Sequence, residues 1–382
     1  MLSRNGSNAT EAFWRSAALT GITLVFLVGL QAAAPRIYRL PGGRYPAMMV
    51  ELMGSRALLF NPGVNGYYEH IFNAEGRDID RRRSKWLSAT RIYDSFRVYR
   101  PKPNAKNLSE WQGPAIPTNN FGYVDRNWSI QKPEGVRRLA LLGDSVTEGF
   151  GLHPPTQRFG NLLENQLNAA YLGGAQRIEV MNFSVAGYRL SQLLDVATED
   201  VPRFQPDTYV LALTELSIFR GWDAHLVDLI ALNSDLKYGI FRRIAAQAHT
   251  SPQDDDNTLH AKLAPFRMIA LKEMLMQMKS NAEQHHAQFV VLLVPSLEDA
   301  DLIHRRFEGI STLLQSLDIT TVDLLDTFDG VPDVVPLRNS REDVHPNALG
   351  HAMIARNLYA KLRVQPKACV ALAGQNAGIC KP

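Results

Sequence analysis

The stretch LALLGDSVTEGFG, residues 139–151, sets a serine where chemistry can be done. Residues 139–142 are a short apolar run without alternation, the pattern of a parallel strand covered on both faces. Gly143 ends the run and lets the backbone turn sharply, while Asp144, Ser145 and Thr147 are residue types that favour turns and helix starts. Ser145 is therefore expected at the carboxyl end of a buried strand, the edge of an open α/β sheet where ligands bind. A serine hydroxyl is a weak nucleophile, and it needs a base within hydrogen-bond reach and a third group that orients the base. His345, just before a helix in the segment DVHPN (residues 343–347), is the candidate base. A plain structural reading of the same residues also exists. Ser145 followed by Glu148 spells a capping box at a helix N-terminus, and His345 taken alone is a loop histidine near a helix start.

The wider sequence joins these residues. The 139–151 stretch resembles the first block of the GDSL, or SGNH, hydrolases, in which the serine of Gly-Asp-Ser is the nucleophile. Upstream, TNNFGYVDRNWSIQKPEGVRRLALLGDS (118–145) is similar to the lead-in of bacterial members. NFSVAGY (182–188) resembles the second block and DVHPNALGHAMIA (343–355) the last. The resemblance implies Ser145 as nucleophile, His345 as base and Asp343 as the acid that orients it. Glu342 is the alternative acid, because members often place it three residues before the histidine; His351 reads as a packing residue. The family pattern also implies an oxyanion hole built from the Ser145 N–H, a second-block glycine that falls on Gly187, and a third-block asparagine. Gly187 by itself could equally be a plain loop glycine. In the third block this chain departs from the pattern. The family's G-x-N-D can be laid on Ala212-Leu213-Thr214-Glu215 or on Thr214-Glu215-Leu216-Ser217, and neither offers asparagine. Either Thr214 stands in with a single hydroxyl donor, or the hole has two donors.

The elements that must position these residues alternate along the chain. Helices are expected over 159–171, 190–202, 264–283, 300–317 and 346–362, with a proline at the start of the last. Strands are expected over 177–182, 208–213, 288–294 and 319–324. Such alternation implies an α/β fold, a three-layer α/β/α sandwich with a mainly parallel sheet. The hydrolase-like domain is expected over 119–365, with a variable insertion at 221–258 and a C-terminal tail at 366–382. Ahead of it lie an extension over 35–118, in which no chemical motif is visible, an apolar segment over 17–34, and a polar leader over 1–16.

The 17–34 segment carries no charge and just spans a bilayer. A cleaved signal peptide is the competing reading, since QAAA precedes Pro35, but the long leader and that proline favour an uncleaved transmembrane helix. Arg36, Arg39 and Arg44 offset Arg4 and Arg15, so charge does not fix its orientation. The expected setting is the membrane, with the catalytic domain outside the cytoplasm. A net charge of +3 disfavours nucleic acid as a partner. Residues 77–106 nevertheless carry ten Lys or Arg against three Asp. Such a cluster is a solvated face or a contact for anionic headgroups or an acidic glycan. The two cysteines, Cys369 and Cys380, would form a disulfide in an oxidising compartment and stay reduced in the cytosol. No spacing suggests a metal site, and no cofactor is implied. GDSVTEGFG fits neither G-x-G-x-x-G nor the P-loop, which disfavours a nucleotide-binding protein. The expected function is a serine esterase acting on acyl or acetyl esters of a small molecule, a lipid or a cell-envelope glycan. Alternatives are an O-acyltransferase on the same fold and a non-catalytic binding domain, the latter favoured by the missing asparagine.

Overall fold

The computed structural model describes residues 91–106, 117–170, 177–219, 221–297, 300–341, 343–375 and 380. The expected membrane span at 17–34, the extension up to residue 90 and Glu342 lie outside the described residues.

The described chain opens with an antiparallel hairpin, β1 (Arg91–Asp94) and β2 (Val98–Pro101). The main sheet starts at β3 (Val136–Leu142), which leads into the short α1 (Ser145–Glu148) and then α2 (Phe159–Ala170). Next come β4 (Arg177–Asn182), α3 (Leu190–Asp195), β5 (Thr208–Leu213) and α4 (Glu215–Ile218). Four helices follow, α5 (Ala224–Ala231), α6 (Gly239–Gln247), α7 (Asp256–Leu263) and α8 (Arg267–Gln284). The chain then runs through β6 (Gln288–Leu293), α9 (Ala300–Ser316), β7 (Thr320–Asp323), α10 (Ala348–Val364) and α11 (Pro366–Ala373).

The five strands β3 to β7 form one parallel sheet in the order β4-β3-β5-β6-β7. Its apolar runs lack alternation because both faces are covered. Leu139, Leu141, Val210, Leu292 and Val322 face a layer made by α2, α10 and α11. Ala140, Leu142, Leu211, Val291 and Leu293 face the opposite layer, which includes α3, α5, α6, α8 and α9. A one-residue slip would exchange the two sets, so burial on both faces fixes the register. The chain leaves β3 for β4 through α2 on one face and leaves β4 for β5 through α3 on the other. The carboxyl ends of β3 and β5 therefore flank the point where the strand order reverses, the usual ligand crevice of such sheets.

Several elements differ from the sequence reading. β3 begins at Val136, three residues earlier than its apolar run. Arg138 is buried inside it, and its guanidinium is satisfied by Glu179 at 2.8 Å and by the carbonyls of Ser129, Ile130 and Phe204. The helix expected over 190–202 is α only to Asp195. It then widens to a π turn over Val196–Asp200 and tightens to a 3₁₀ turn over Val201–Phe204, where Pro202 has no N–H to continue the ladder. The 221–258 insertion is no appendage: Leu226, Leu229, Ile240, Phe241 and Ile244 are core residues. Nor does the core begin at Asn119, because Phe96, Val98 and Tyr99 of the hairpin are buried in it.

The C-terminal tail is likewise part of the core. Cys369 on α11 is fully buried against the α2 and α10 layer and is bonded to Cys380, with their Cα atoms 5.5 Å apart. Closing a loop of 11-residue separation stabilises by about 3 kcal/mol through the unfolded state. The disulfide thus ties Cys380 to α11 in the main core.

Candidate active site

The turn after β3 is built around close approach. A Cβ on Gly143 would lie 2.3 Å from Thr147 Oγ1 and 2.5 Å from Thr147 Cβ, so only glycine fits there. Asp144 is the helix cap: its Oδ1 accepts the Val146 N–H at 3.0 Å. Ser145 is thus the first helical residue and not the capping residue of the Ser145 to Glu148 box, and its hydroxyl is available for other work. Asn182 at the end of β4 donates its amide to Thr147 O at 2.8 Å and holds α1 in place.

Ser145 Oγ lies 2.8 Å from His345 Nε2, and His345 Nδ1 lies 2.5 Å from Asp343 Oδ1. An ionised carboxylate only accepts, so the proton sits on Nδ1 and Nε2 accepts from the serine hydroxyl. Asp343 Oδ1 also accepts the His345 backbone N–H at 3.1 Å, and Asn339 donates to Asp343 Oδ2 at 3.3 Å. Burial alone would raise the Asp343 carboxyl, but the hydrogen bonds and charge of His345 together with the Asn339 amide hold it below the ordinary aspartate range. Ser145 and His345 are both buried, with the Phe150 ring centred 5.0 Å from the imidazole.

His345 reaches Ser145 from the loop between β7 and α10, and that loop is stapled at several points. Arg338 donates twice to Leu297 O, at 3.1 and 2.6 Å. Asn339 donates its side-chain amide to Phe150 O at 2.8 Å and its backbone N–H to His345 O at 2.9 Å. Asn347 caps α10 by accepting from Leu349 N and Gly350 N, while its amide donates to Pro336 O and Arg338 O. Pro346, expected inside the first turn, therefore lies just ahead of the cap.

Gly187 follows β4 in a loop tied to the nucleophile turn by the Val185 N–H to Gly143 O bond, 3.1 Å. Its φ of 85° lies in the left-handed region, which glycine reaches without strain. Among the described residues, the N–H groups of Ser145 and Gly187 donate to nothing. Thr214 does not fit the donor role expected of it. Its hydroxyl donates to Asp144 Oδ2, which also accepts from Ser217 Oγ at 3.2 Å. A hydroxyl has one proton to give, so Thr214 braces the cap of α1 across the β3/β5 crevice and has none left for an oxyanion. Glu215, the next residue, is buried on Arg306 and on Ser296 at 3.4 Å.

Asn339 and Asn182 were not singled out by sequence. Asn182 sits within the NFSVAGY block, but its amide serves a turn 35 residues away. Among the described residues, no group of His, Cys, Asp and Glu could hold a metal ion.

Two other histidines are buried and neutral. His351 accepts the Phe159 N–H, at the start of α2, on Nδ1 at 3.2 Å and stacks on the Phe159 ring, 5.9 Å between centroids. It packs, as expected, and it also ties α10 to α2. Burial, aided by Arg158 and His345, pushes its pKa down to about 3. His225 accepts from Ser191 Oγ at 2.8 Å and donates to Phe96 O at 2.6 Å, and burial pushes it down to about 4. Both pKa values lie below the unfolded value, so the unfolded chain binds the extra protons. Stability is then full above about pH 6.5 and falls with acidification, by roughly 2 kcal/mol per group at pH 5. Urea unfolding at pH 7 and pH 5 should show this loss. Equal stability at the two pH values would contradict it.

A buried Ser–His–Asp hydrogen-bond chain at the carboxyl edge of a parallel α/β sheet defines the triad class of hydrolase site. Residues 141–353 match the model of the GDSL-like Lipase/Acylhydrolase family, more than half of the chain, and the chain belongs to that family. It is an ester-bond hydrolase. Among solved structures the chain is similar to TesA, with 18% identity over 60% of this chain and 99% of that one and a TM-score of 0.39. It is also similar to Axe2, an acetylxylan esterase from Geobacillus stearothermophilus, with 15% identity, 59% and 93% coverage and a TM-score of 0.39. The psychrotrophic esterase EstA from Pseudoalteromonas sp. matches with 12% identity, 60% and 97% coverage and a TM-score of 0.38. No curated protein matches the chain.

Proposed function

We propose that the chain removes acyl or acetyl groups from a lipid or cell-envelope glycan through an acyl-enzyme on Ser145. The observation that carries this reading is the hydrogen-bond chain from Ser145 through His345 to Asp343. Ser145 Oγ attacks the ester carbonyl carbon as its proton passes to His345 Nε2. Asp343 keeps the imidazole in the tautomer that can accept it and stabilises the imidazolium that forms. The tetrahedral oxyanion takes the N–H groups of Ser145 and Gly187. His345 then gives its proton to the leaving alkoxide, the C–O bond to the alcohol breaks, and the acyl group stays on Ser145. Water repeats the sequence and releases the acid. Hydrolysis of a p-nitrophenyl acyl series, with trapping of the acyl-enzyme by mass spectrometry, tests the route. Turnover without any covalent Ser145 intermediate would contradict it.

The proposed setting is the outer face of a membrane, with residues 17–34 as an uncleaved single span. Support comes from the uncharged apolar run in the sequence and from the bonded cysteines, which an oxidising compartment permits. No helix among the described residues is long and apolar enough to cross a membrane. The basic stretch at 77–106 contributes less to a lipid-facing surface than its composition suggests, because Arg97 is buried on Asp195 and Asp200. In intact cells, Cys369 and Cys380 should resist alkylation until reduced, and a protease added outside the cytoplasmic membrane should reach the domain. Free thiols with a protected domain would place it in the cytoplasm.

A further inference from the structure

The hairpin β1–β2 precedes the residues that match the family model, yet it sits on the loop that carries Gly187. Tyr99 Oη donates to Ala186 O at 2.9 Å. That carbonyl belongs to the same peptide unit as the Gly187 N–H, so fixing one fixes the plane of the other. Tyr188, on the other side of Gly187, returns the contact: its Oη donates to Tyr99 O at 2.7 Å, and the two rings lie 5.2 Å apart. Both tyrosines are buried.

The hairpin that holds Tyr99 is itself clamped. Phe96 O accepts from His225 Nε2, Arg97 O accepts from Gln192 Nε2 at 2.7 Å, and the Arg97 guanidinium spans Asp195 at 2.6 Å and Asp200 at 2.7 Å. Val98, a β-branched residue, is held at φ 66° beside Tyr99. Such a conformation persists only where the surroundings over-determine it. The peptide that Tyr99 grips presents an N–H with no partner among the described residues.

We propose that Tyr99 is a positioning residue for the oxyanion hole. Its hydroxyl orients the Ala186–Gly187 peptide toward the reacting carbonyl. By hydrogen-bonding the carbonyl it also polarises the amide and makes the Gly187 N–H a stronger donor. Thr214 is committed to Asp144, and the hairpin governs one of the backbone donors. The inference rests on the esterase reading of Ser145 and on Gly187 as a donor.

The test is Tyr99→Phe, which keeps the ring in the core and removes only the hydroxyl. Tyr209→Phe is the control, a buried phenol whose hydroxyl is bonded at 3.2 Å to Asn281, away from the site. With p-nitrophenyl acetate, Tyr99→Phe should lower kcat by about tenfold, less than outright loss of a donor. KM and the shape of the pH–rate profile should stay as in wild type, and the protein should stay folded at the assay temperature. The rate of phosphonate labelling at Ser145 should fall in parallel, since that reaction also builds charge on an oxygen in the hole, and Tyr209→Phe should keep wild-type kcat. An active wild type with unchanged kcat in Tyr99→Phe overturns this proposal and leaves the esterase reading standing. The same holds if the kcat loss is matched by Tyr209→Phe. A wild type that neither turns over ester nor takes the phosphonate overturns both.

Discussion

Ser145→Ala is expected to abolish nearly all ester turnover, a loss of about 10⁴-fold or more in kcat, while the protein stays folded. The substitution removes one hydroxyl, and with it the 2.8 Å bond to His345. Leaving the buried imidazole nitrogen without that partner costs about 1 to 3 kcal/mol, well inside the 5 to 15 kcal/mol typical of a domain. The helix cap is untouched because Asp144 supplies it. His345→Ala should lose a similar factor. Asp343→Ala should lose somewhat less, since the loop staples on Asn339 and Asn347 still hold the histidine near the serine. The double variant Ser145→Ala/His345→Ala should be no worse than either single one, because the groups act as one unit. Steady-state kinetics on a short-chain aryl ester, paired with circular dichroism of each variant, checks this. Additive losses would break the unit apart.

Thr214→Asn is expected to raise kcat by about 10²-fold with little change in KM. One side-chain donor in an oxyanion hole is worth roughly 10² to 10³ in rate, and Thr214 does not supply one. The threonine hydroxyl has a single proton, and Asp144 takes it. An asparagine amide carries two N–H donors, so one can keep the Asp144 contact while the second meets the oxyanion. Thr214→Val separates the two roles: it removes the bond to Asp144 and offers no donor, so it should lower kcat through a looser α1. If Thr214→Asn and Thr214→Val behave alike, the side chain at 214 does not reach the hole.

The fold was legible where physics is local. The unbroken apolar run at 139–142 announced a strand covered on both faces, and the structure places it in β3, inside a parallel sheet. Ser145, His345 and Asp343 were legible through block order, and the structure brings them into one hydrogen-bond chain. What escaped depends on pairings that no local pattern encodes. The early start of β3 escaped because the burial of Arg138 is compensated by Glu179 and by carbonyls that only the tertiary fold brings to it. The helices α5 and α6 were read as a variable insertion since nothing in their own sequence says which face of the sheet they cover. Thr214 matched a donor position by alignment, but its hydroxyl direction is set by Asp144, 70 residues away. Tyr99 carried no signal at all, because its partner carbonyl lies 87 residues downstream.

The central claim is that Ser145 is a nucleophile activated by His345. The most direct measurement is labelling of the intact wild-type protein with a serine-directed phosphonate, followed by peptide mass spectrometry. A single adduct on Ser145 is predicted, reduced to background in His345→Ala although the serine is still present. Phosphonylation of another serine, or no adduct in wild type together with none in Thr214→Asn, would contradict the account and leave a binding domain on a hydrolase fold.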